Sequence, residues 1–550
     1  MNLHTVAESD REQLENEILV TPSKNPTPVS PRSTLGELLQ SAPILGRKRA
    51  RDIEPHIGRD IFAEETAAIL QSSTKVKEKF NLDGEFLMIK SRMVSGGNGQ
   101  NIEDIPESLR SAPTTATSSV NTIASIAAAR GMEVATVDVL KRRHGWRRIH
   151  VDSGTSTMRK RQIILTYLHT NNKGQRRVLV KVLKAQYGCV ESGRLWYEHI
   201  AKALTEQGFN INPFDKCIFQ RKTGDSWTYI TLYVDDLMIA SDEVNLVDEV
   251  ISKLTEKYKD LTVHRGKVHD YLGMMFDFTK EGEVFISMEA YITEILKGSN
   301  ITDTADTPAS TDLFDIEEHS PPLSNKDREI FHRKVAQCLY AVTRKRPDAS
   351  LPVIFLTTRV LTPTKQDQTK LDRVLRYFNG TKEMGIFFGL SEENDLRIVC
   401  YADVSHDTHY NGKSHTGVVI SHGRGAILAK SMKQKIVFRS STEYELVALS
   451  DATSLAAYEL QFMESLGMDV KKAHLYQDNT STIRIAFNGK SCSDRTKHIK
   501  LRYFFVKQYI DSGEFEVTHC PTAMMTADIL TKPLQGKHFK TLRDKLLGYK

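Results

Sequence analysis

Tyr233-Val234-Asp235-Asp236 lies between two apolar runs, Trp227–Leu232 and Leu237–Ala240. β-branched and aromatic residues on either side of a short polar break predict a strand, a tight turn and a second strand. Two adjacent carboxylates at the tip of an apolar hairpin repel one another, and holding both ionised there calls for a positive partner. A divalent cation with hard oxygen ligands supplies one, and Mg²⁺ keeps coordination positions for phosphate oxygens. Two such ions roughly 3.5–4 Å apart clamp the attacking and leaving oxygens of a phosphoryl transfer. From these four residues alone, an ordinary turn with solvated aspartates fits equally well, so the rest of the chain has to decide.

The chain has 550 residues, room for roughly three to four domains at ~150 residues each. Its 40% apolar and 26% charged residues describe a globular protein. A net charge of +6 is compatible with gripping a phosphate backbone without being diagnostic of it. The cysteines Cys189, Cys217, Cys338, Cys400, Cys492 and Cys520 are scattered, with no C-x-x-C pair. They are expected to be reduced thiols of an intracellular protein rather than a disulfide framework or a zinc knuckle. Met1–Asp10 has no basic-then-apolar signal pattern. No run reaches the ~18 apolar residues of a membrane helix, so no membrane partner is expected.

Residues 1–74 read as a disordered arm, punctuated by Pro22, Pro26, Pro28 and Pro31. The basic cluster Arg47–Arg51 reads as a solvated charge run before a nuclear-import or RNA-contact patch. Asp83-Gly84 between apolar runs is a hairpin signal, and the alternation Lys90-Ser91-Arg92-Met93-Val94 puts Lys90 and Arg92 on one strand face. Ile123, Ile126 and Ala127 suit a buried helix closed by Gly131, followed by a short strand, Val134–Val139, that carries Asp138. Tyr187-Gly188 precedes a helix with apolar positions at Leu195, Trp196, Ile200, Ala203 and Leu204, up to Gly208. Trp196 and Tyr197 are read as core packing. Val244–Tyr258 is an amphipathic helix. Residues 300–325, rich in Thr, Asp, Ser and Pro, read as a linker, and residues 326–395 return to helical spacing.

A second set of acids follows. Arg397–Asp403 alternates as a strand ending in Asp403, with turns at Asn411-Gly412 and Ser421–Gly425. Ser440–Glu445 opens a helix in which Thr442 and Glu445 have capping-box spacing. His474–Asp478 is another strand ending in a carboxylate, and Thr526–Lys532 is expected to open a last helix.

These stretches resemble the reverse transcriptase of Ty1/copia-type retrotransposons. Lys90-Ser91-Arg92-Met93-Val94 is similar to the fingers strand whose basic residues meet the incoming triphosphate. The helix, Gly131 and the strand bearing Asp138 are similar to the first palm motif, and Tyr233–Asp236 to the polymerase signature. Tyr187-Gly188 with Arg194 and Trp196 resembles the second palm motif. The resemblance implies a right-hand polymerase with fingers and a ferredoxin-like palm over residues 75–299. Asp138, Asp235 and Asp236 would be its metal carboxylates, and Lys90, Arg92, Tyr187, Gly188, Arg194 and Tyr233 would contact nucleotide or nucleic acid.

Residues 140–165 depart from that family. Arg143 stands where the family has an aromatic that screens the nucleotide 2′ position, and a local shift of reading frame in a decayed element is one expected explanation. Gln186 and Glu191 also replace family residues, and a carboxylate at 191 is unfavourable beside a triphosphate. Residues 300–395 resemble a connection region, on Tyr340, Arg346-Pro347-Asp348 and Arg376–Thr381.

Residues 396–550 resemble a ribonuclease H-like α/β domain. Asp403, Glu445, Asp478 and Asp528 correspond to its metal carboxylates, with Glu443 the rival for the second. His519, expected on a loop, corresponds to the histidine that assists product release. Arg495-Thr496-Lys497-His498-Ile499 matches a copia-type motif, implying that Arg495, Lys497 and His498 contact the hybrid or order the site.

The whole implies a multidomain α+β and α/β protein: the reverse transcriptase and ribonuclease H part of a Pol polyprotein. Expected cofactors are two Mg²⁺ per site, with Mn²⁺ able to substitute. Expected partners are an RNA template, a DNA primer, RNA–DNA hybrid and dNTPs, and other Pol or Gag products or a second copy of the chain. The expected location is a cytoplasmic virus-like particle, the nucleus, or both. Two alternatives stay open: an enzyme that retains RNA cleavage alone, and a defunct remnant that only binds nucleic acid.

Overall fold

The computed structural model describes residues 72–80, 86–95, 102–139, 168–170, 176–178, 188–259, 261–391, 395–435, 441–488 and 500–550. The expected arm up to residue 71, the basic cluster 47–51, the divergent stretch 140–165 and the motif at 495–499 lie outside these residues. The described residues fall into two units.

In the smaller unit, β1 (Ser72–Phe80) pairs antiparallel with β2 (Phe86–Ser95), setting Lys90 opposite Lys77 and Arg92 opposite Lys75. The larger unit opens with α1 (Thr117–Ala129) and β3 (Glu133–Val139). Small and β-branched residues let α1 be buried on nearly every side, with Val120, Ile123, Ala124 and Ile126 fully enclosed. It ends where Gly131 takes φ +62 and Met132 N–H donates back to the Ala127 carbonyl at 2.8 Å, a left-handed closure that favours glycine. The chain then supplies the smaller unit with a short hairpin, β4 (Leu168–Thr170) and β5 (Arg176–Val178).

Next come α2 (Ser192–Thr205), β6 (Asn210–Ile211), β7 (Ile218–Thr223), β8 (Ser226–Tyr233), β9 (Asp236–Ser241), α3 (Val244–Tyr258) and β10 (Leu261–Arg265). The strands form one antiparallel sheet in the order β10-β3-β9-β8-β7-β6. Ile200, Leu204, Val247 and Leu254 of α2 and α3 pack on Val137, Ile230, Leu232 and Ile239. Ile123, Ile126 and Ala127 of α1 belong to a core shared with Tyr229, Met238 and Ala240. Burial on both faces is why Trp227–Leu232 and Leu237–Ala240 read as continuous apolar runs instead of alternating ones.

A second antiparallel sheet contains β11 (Val268–Tyr271), β12 (Met274–Asp277) and β13 (Glu283–Ser287). Helices follow: α4 (Glu289–Leu296), α5 (Asn325–Arg344), α6 (Ser350–Thr357) and α7 (Lys365–Gly380). After them β14 (Gly385–Gly389) returns to pair with β13. The stretch 300–325 is irregular, as its composition indicates, but it is packed and not a loose linker. Ala309 and Leu313 are buried, and Arg373 on α7 donates to the Thr307 hydroxyl at 2.9 Å. The motif Arg346-Pro347-Asp348 is structural. Arg346 makes a bidentate pair with Asp348 at 3.0 and 2.9 Å, and Tyr377 donates to the same carboxylate at 2.5 Å, all fully enclosed.

The last lobe is a mixed sheet of β15 (Ile398–Ser405), β16 (His415–Ser421), β17 (Ala426–Lys433), β18 (Ala473–Gln477) and β19 (Phe515–His519), in the order β17-β16-β15-β18-β19. β15, β16 and β17 are antiparallel neighbours, whereas β15, β18 and β19 run parallel. Three helices accompany it before α11 (Gly536–Leu547) closes the chain: α8 (Ser441–Ser465), α9 (Thr480–Asn488) and α10 (Lys500–Asp511). Thr526–Lys532 does not open that last helix. Thr526–Leu530 is a short 3₁₀ helix, because Pro533 disfavours helical backbone at the residue before it, and α11 starts afresh at Gly536.

The far end of α8 is fastened to the first sheet. Tyr229 donates to the Leu466 carbonyl at 2.6 Å, Gln220 to the Ser465 carbonyl at 2.6 Å, and Asn212 to the Ser465 hydroxyl at 2.7 Å. On α1, Thr122 donates to Glu459 at 2.7 Å and Asn121 to the Ile427 carbonyl at 2.7 Å. The cysteines among the described residues (Cys189, Cys217, Cys338, Cys400 and Cys520) are buried, and no disulfide joins any two of them. Among the described residues no helix is long and apolar enough to cross a membrane.

Candidate active sites

The first group of acids sits where β3 meets the β8–β9 hairpin. Asp138 lies directly opposite Asp236 across the antiparallel pair, and Val139 N–H donates to the Asp235 carbonyl at 3.0 Å. Tyr233 pairs with Asp236, so Val234 and Asp235 form a two-residue turn. Val234 takes φ +58, a conformation usually left to glycine in such turns. For a β-branched residue that backbone costs of order 1–3 kcal/mol and is found where the surroundings over-determine it. Trp196 supplies such a constraint, its indole N–H donating to the Val234 carbonyl at 2.5 Å. All three aspartates are half-buried.

Around this hairpin Tyr197 is the core residue expected, with its hydroxyl donating to the Lys216 carbonyl at 2.8 Å. Trp196 is not simply core: it is half-buried and braces the turn. Its signal in the sequence was an aromatic one helix away from the acids, and nothing in the spacing tied the two together. Arg194 forms an ion pair with Glu198 one turn along the same helix at 2.7 Å. Gly188, in the smaller unit, takes φ +100, which side-chain-bearing residues rarely adopt. Tyr187 lies outside the described residues. Lys90 and Arg92 are on β2 as expected.

The second group is closer knit. Asp403 on β15, Glu445 on α8 and Asp478 just after β18 have carboxylate oxygens that all lie within 4.8 Å of one another. The parallel pairing of β15 with β18 brings two strand ends side by side, and α8 lays Glu445 across them. Asp528, on the short 3₁₀ helix, joins through Lys532. The Lys532 ammonium lies 2.9 Å from Asp528 and 3.3 Å from Asp403. Thr531 donates its hydroxyl to Asp403, and Gln477 donates to Glu445 at 3.3 Å. Thr522 lies within 3.4 Å of Asp478. Glu443, the rival for the second position, is buried outside this group. The carboxylate of Glu445 faces Gln477 and the other acids, which is not the posture of a capping-box residue.

Burial and mutual repulsion dominate the electrostatics here. Burial, reinforced by Asp403 and Asp478, pushes the Glu445 carboxyl up to about 9. Asp478 is raised by burial and by Asp403. Asp528 is raised by burial and Asp403, against the opposing pull of Lys532. Burial would lower Lys532, but Asp403 and Asp528 outweigh it and hold the ammonium charged. Such a nest of oxygen donors fits one or more hard divalent cations.

His519 corrects one expectation. It is the exposed last residue of β19, in register with Gln477 rather than on a loop; the parallel ladder with β18 extends far enough to include it. Lys532, Thr531 and Gln477 were not singled out from the sequence. A cation four residues after Asp528 on a helical turn was the available signal for Lys532.

A family model described as reverse transcriptase (RNA-dependent DNA polymerase) matches residues 74–311. A putative transposon Ty5-1 protein of Saccharomyces cerevisiae is 30% identical over 271 residues, 48% of this chain and 85% of that protein. A retrovirus-related Pol polyprotein from transposon RE1 of Arabidopsis thaliana is 28% identical over 378 residues, 68% of this chain and 25% of the polyprotein. The chain spans about a quarter to a third of the length of the plant polyproteins it matches. Among solved structures, ribonuclease H1 from Halobacterium salinarum aligns at 20% identity with a TM-score of 0.20, covering 24% of this chain and 94% of that one.

Proposed function

Because the chain belongs to the copia-type retrotransposon Pol proteins, we propose that it is an RNA-directed DNA polymerase joined to a ribonuclease H. The observation that carries the nuclease half is the cluster of Asp403, Glu445 and Asp478 within 4.8 Å, on a mixed five-stranded sheet with Asp528 and Lys532 beside it. The polymerase half rests on Asp138 facing Asp236 at the strained hairpin. The path β3-α2-β8-β9-α3-β10, with the strands ordered β10-β3-β9-β8, supports a ferredoxin-like palm.

Asp403, Glu445, Asp478 and Asp528 would hold Mg²⁺ in the nuclease, and Asp138, Asp235 and Asp236 in the polymerase. When bound, the metal supplies an activated water or hydroxyl and charge stabilisation on the leaving oxygen. The chain's own residues do the rest. Thr531 and Lys532 orient Asp403, Gln477 orients Glu445, and Lys532 balances the charge of two carboxylates until cation and substrate arrive. The RNA strand would be distinguished by its 2′-hydroxyls and the duplex by its shape, with affinity falling as salt rises.

Two assays on one preparation test this: primer extension on an RNA template and cleavage of an RNA–DNA hybrid, both in Mg²⁺. Asp236→Asn should remove extension and leave cleavage, and Asp478→Asn the reverse. Extension that survives Asp236→Asn defeats the polymerase assignment, and cleavage that survives Asp478→Asn defeats the nuclease one. A nuclease-only reading is favoured by one observation: among the described residues only the nuclease acids form a three-acid group with oxygens within 4.8 Å. It predicts cleavage with no extension in the unaltered chain.

A further inference from the structure

Behind the nuclease acids runs a buried row of polar groups that the reaction itself does not use. His409 and His415 are 4% and 0% exposed, and Ser431 is 7% exposed. His409 Nε2 lies 3.0 Å from His415 Nδ1, His415 Nε2 lies 2.7 Å from the Ser431 hydroxyl, and that hydroxyl donates to the Leu530 carbonyl at 2.8 Å. Phe314 and Phe355 close the far side against His409. The last acceptor sets the direction of the whole row. A carbonyl only accepts, so the serine hydrogen points to Leu530. The serine oxygen then accepts from His415 Nε2–H, which leaves His415 Nδ1 bare to accept from His409 Nε2–H. With both rings neutral, as their burial favours, each hydrogen along the row has one assignment.

The row ends on the turn that carries Asp528. Leu530 is two residues beyond it, in the same 3₁₀ helix. The underside of that turn rests on β16 at Gly417, which pairs with Asp403. A Cβ at Gly417 would stand 2.7 Å from the Ala527 carbonyl and 2.8 Å from Thr531 Cγ2. The turn is therefore pressed onto the sheet at a point with no room to spare, and tied down by one hydrogen bond from β17.

We propose that His409, His415 and Ser431 are positioning residues for Asp528: a one-way chain of donors that holds the 3₁₀ turn, and with it the fourth carboxylate, at its distance from Asp403. This deepens the nuclease reading and rests on it. The chain touches neither substrate nor metal, and it acts only through the turn.

The test measures Mn²⁺ binding to the whole chain by titration calorimetry, alongside hybrid cleavage. Ser431→Ala strands the His415 donor and the Leu530 carbonyl, and should weaken Mn²⁺ binding about 10-fold, as loss of an outer partner of a metal ligand does. Ser431→Thr keeps the hydroxyl and should restore binding to within ~3-fold. The deciding arm is the double variant. If Ser431 acts through Asp528, Ser431→Ala adds no further loss in an Asp528→Asn background. An equal loss in both backgrounds, or no loss from Ser431→Ala at all, overturns the proposal. Should Ser431→Ala fail to fold by circular dichroism, Ser431→Cys, a weaker donor, should give an intermediate loss, and wild-type affinity in that variant counts equally against the idea. Wild-type chain that binds Mn²⁺ but cuts no hybrid sinks the nuclease reading alone, whereas wild-type chain that binds no Mn²⁺ sinks both.

Discussion

Asp403, Glu445 and Asp478 come from a strand, a helix and a second strand end that are distant in sequence, and they meet with Asp403 and Glu445 buried and Asp478 half-buried. Asp138, Asp235 and Asp236 come from two neighbouring strands and stay half-buried at the lip of their sheet. The first arrangement stores repulsion. Burial raises Glu445, Asp478 and Asp528 together, and a built-in lysine offsets part of the strain. The second keeps its acids near water and stores strain in the backbone instead, at Val234. One lobe brings three acids together at a single point. The other holds its acids in register across neighbouring strands.

The largest effects should separate the two lobes completely. Asp478→Asn is expected to lower hybrid cleavage by at least ~10³-fold, the scale of removing a central catalytic group, with primer extension unchanged. Asp236→Asn should do the opposite. A variant that lowers both rates equally would break the comparison. Gly417→Ala forces a Cβ against the Ala527 carbonyl. It should cost about 1–3 kcal/mol of stability, read by chemical denaturation, and reduce cleavage more than extension.

Stored repulsion also has a pH signature. The folded chain holds the Glu445 proton up to about 9, whereas a free glutamate loses it near 4.5. Between those values the folded state binds more protons than the unfolded one, so stability falls as pH rises. In metal-free buffer the melting temperature should drift down by a few degrees between pH 5 and 9. Glu445→Gln should flatten that slope, and Mg²⁺ should reverse it. A slope identical in Glu445→Gln would show that the buried acids do not carry the repulsion ascribed to them. The smallest effect concerns the strained turn. Trp196→Phe keeps the ring and removes one hydrogen bond of about 1 kcal/mol. Extension should fall roughly 5-fold, mainly in kcat, and cleavage should not change.

Much of this is legible in the amino-acid sequence. Apolar runs broken by acids marked the β8–β9 hairpin, and alanine with isoleucine spacing marked α1 and its glycine stop. Strand ends bearing Asp403 and Asp478 were visible because a carboxylate after an alternating run stands out. What could not be read depends on distant partners. Lys532 is unremarkable until Asp403 lies beside it, and Trp196 until the turn at Val234 closes above it. The 300–325 stretch has a linker's composition, yet Leu313 and Ala309 are enclosed by α5–α7 and the C-terminal region. Composition reports irregular backbone, and irregular backbone is often packed. Thr526–Lys532 reads as a helix start by its composition, but Pro533 restricts the backbone of the residue before it and the segment closes as a short 3₁₀ turn.

One consequence follows from α8. The helix carries Glu445 near its beginning, and at ~1.5 Å per residue it reaches roughly 35 Å to the segment held by Tyr229, Gln220 and Asn212. Tyr229 stands on the same strand that leads into the Asp235–Asp236 bend. The spacing between the two groups of acids is thus written into a single rod bolted at its far end, and lengthening that rod by a turn would re-gauge the molecule without altering either group.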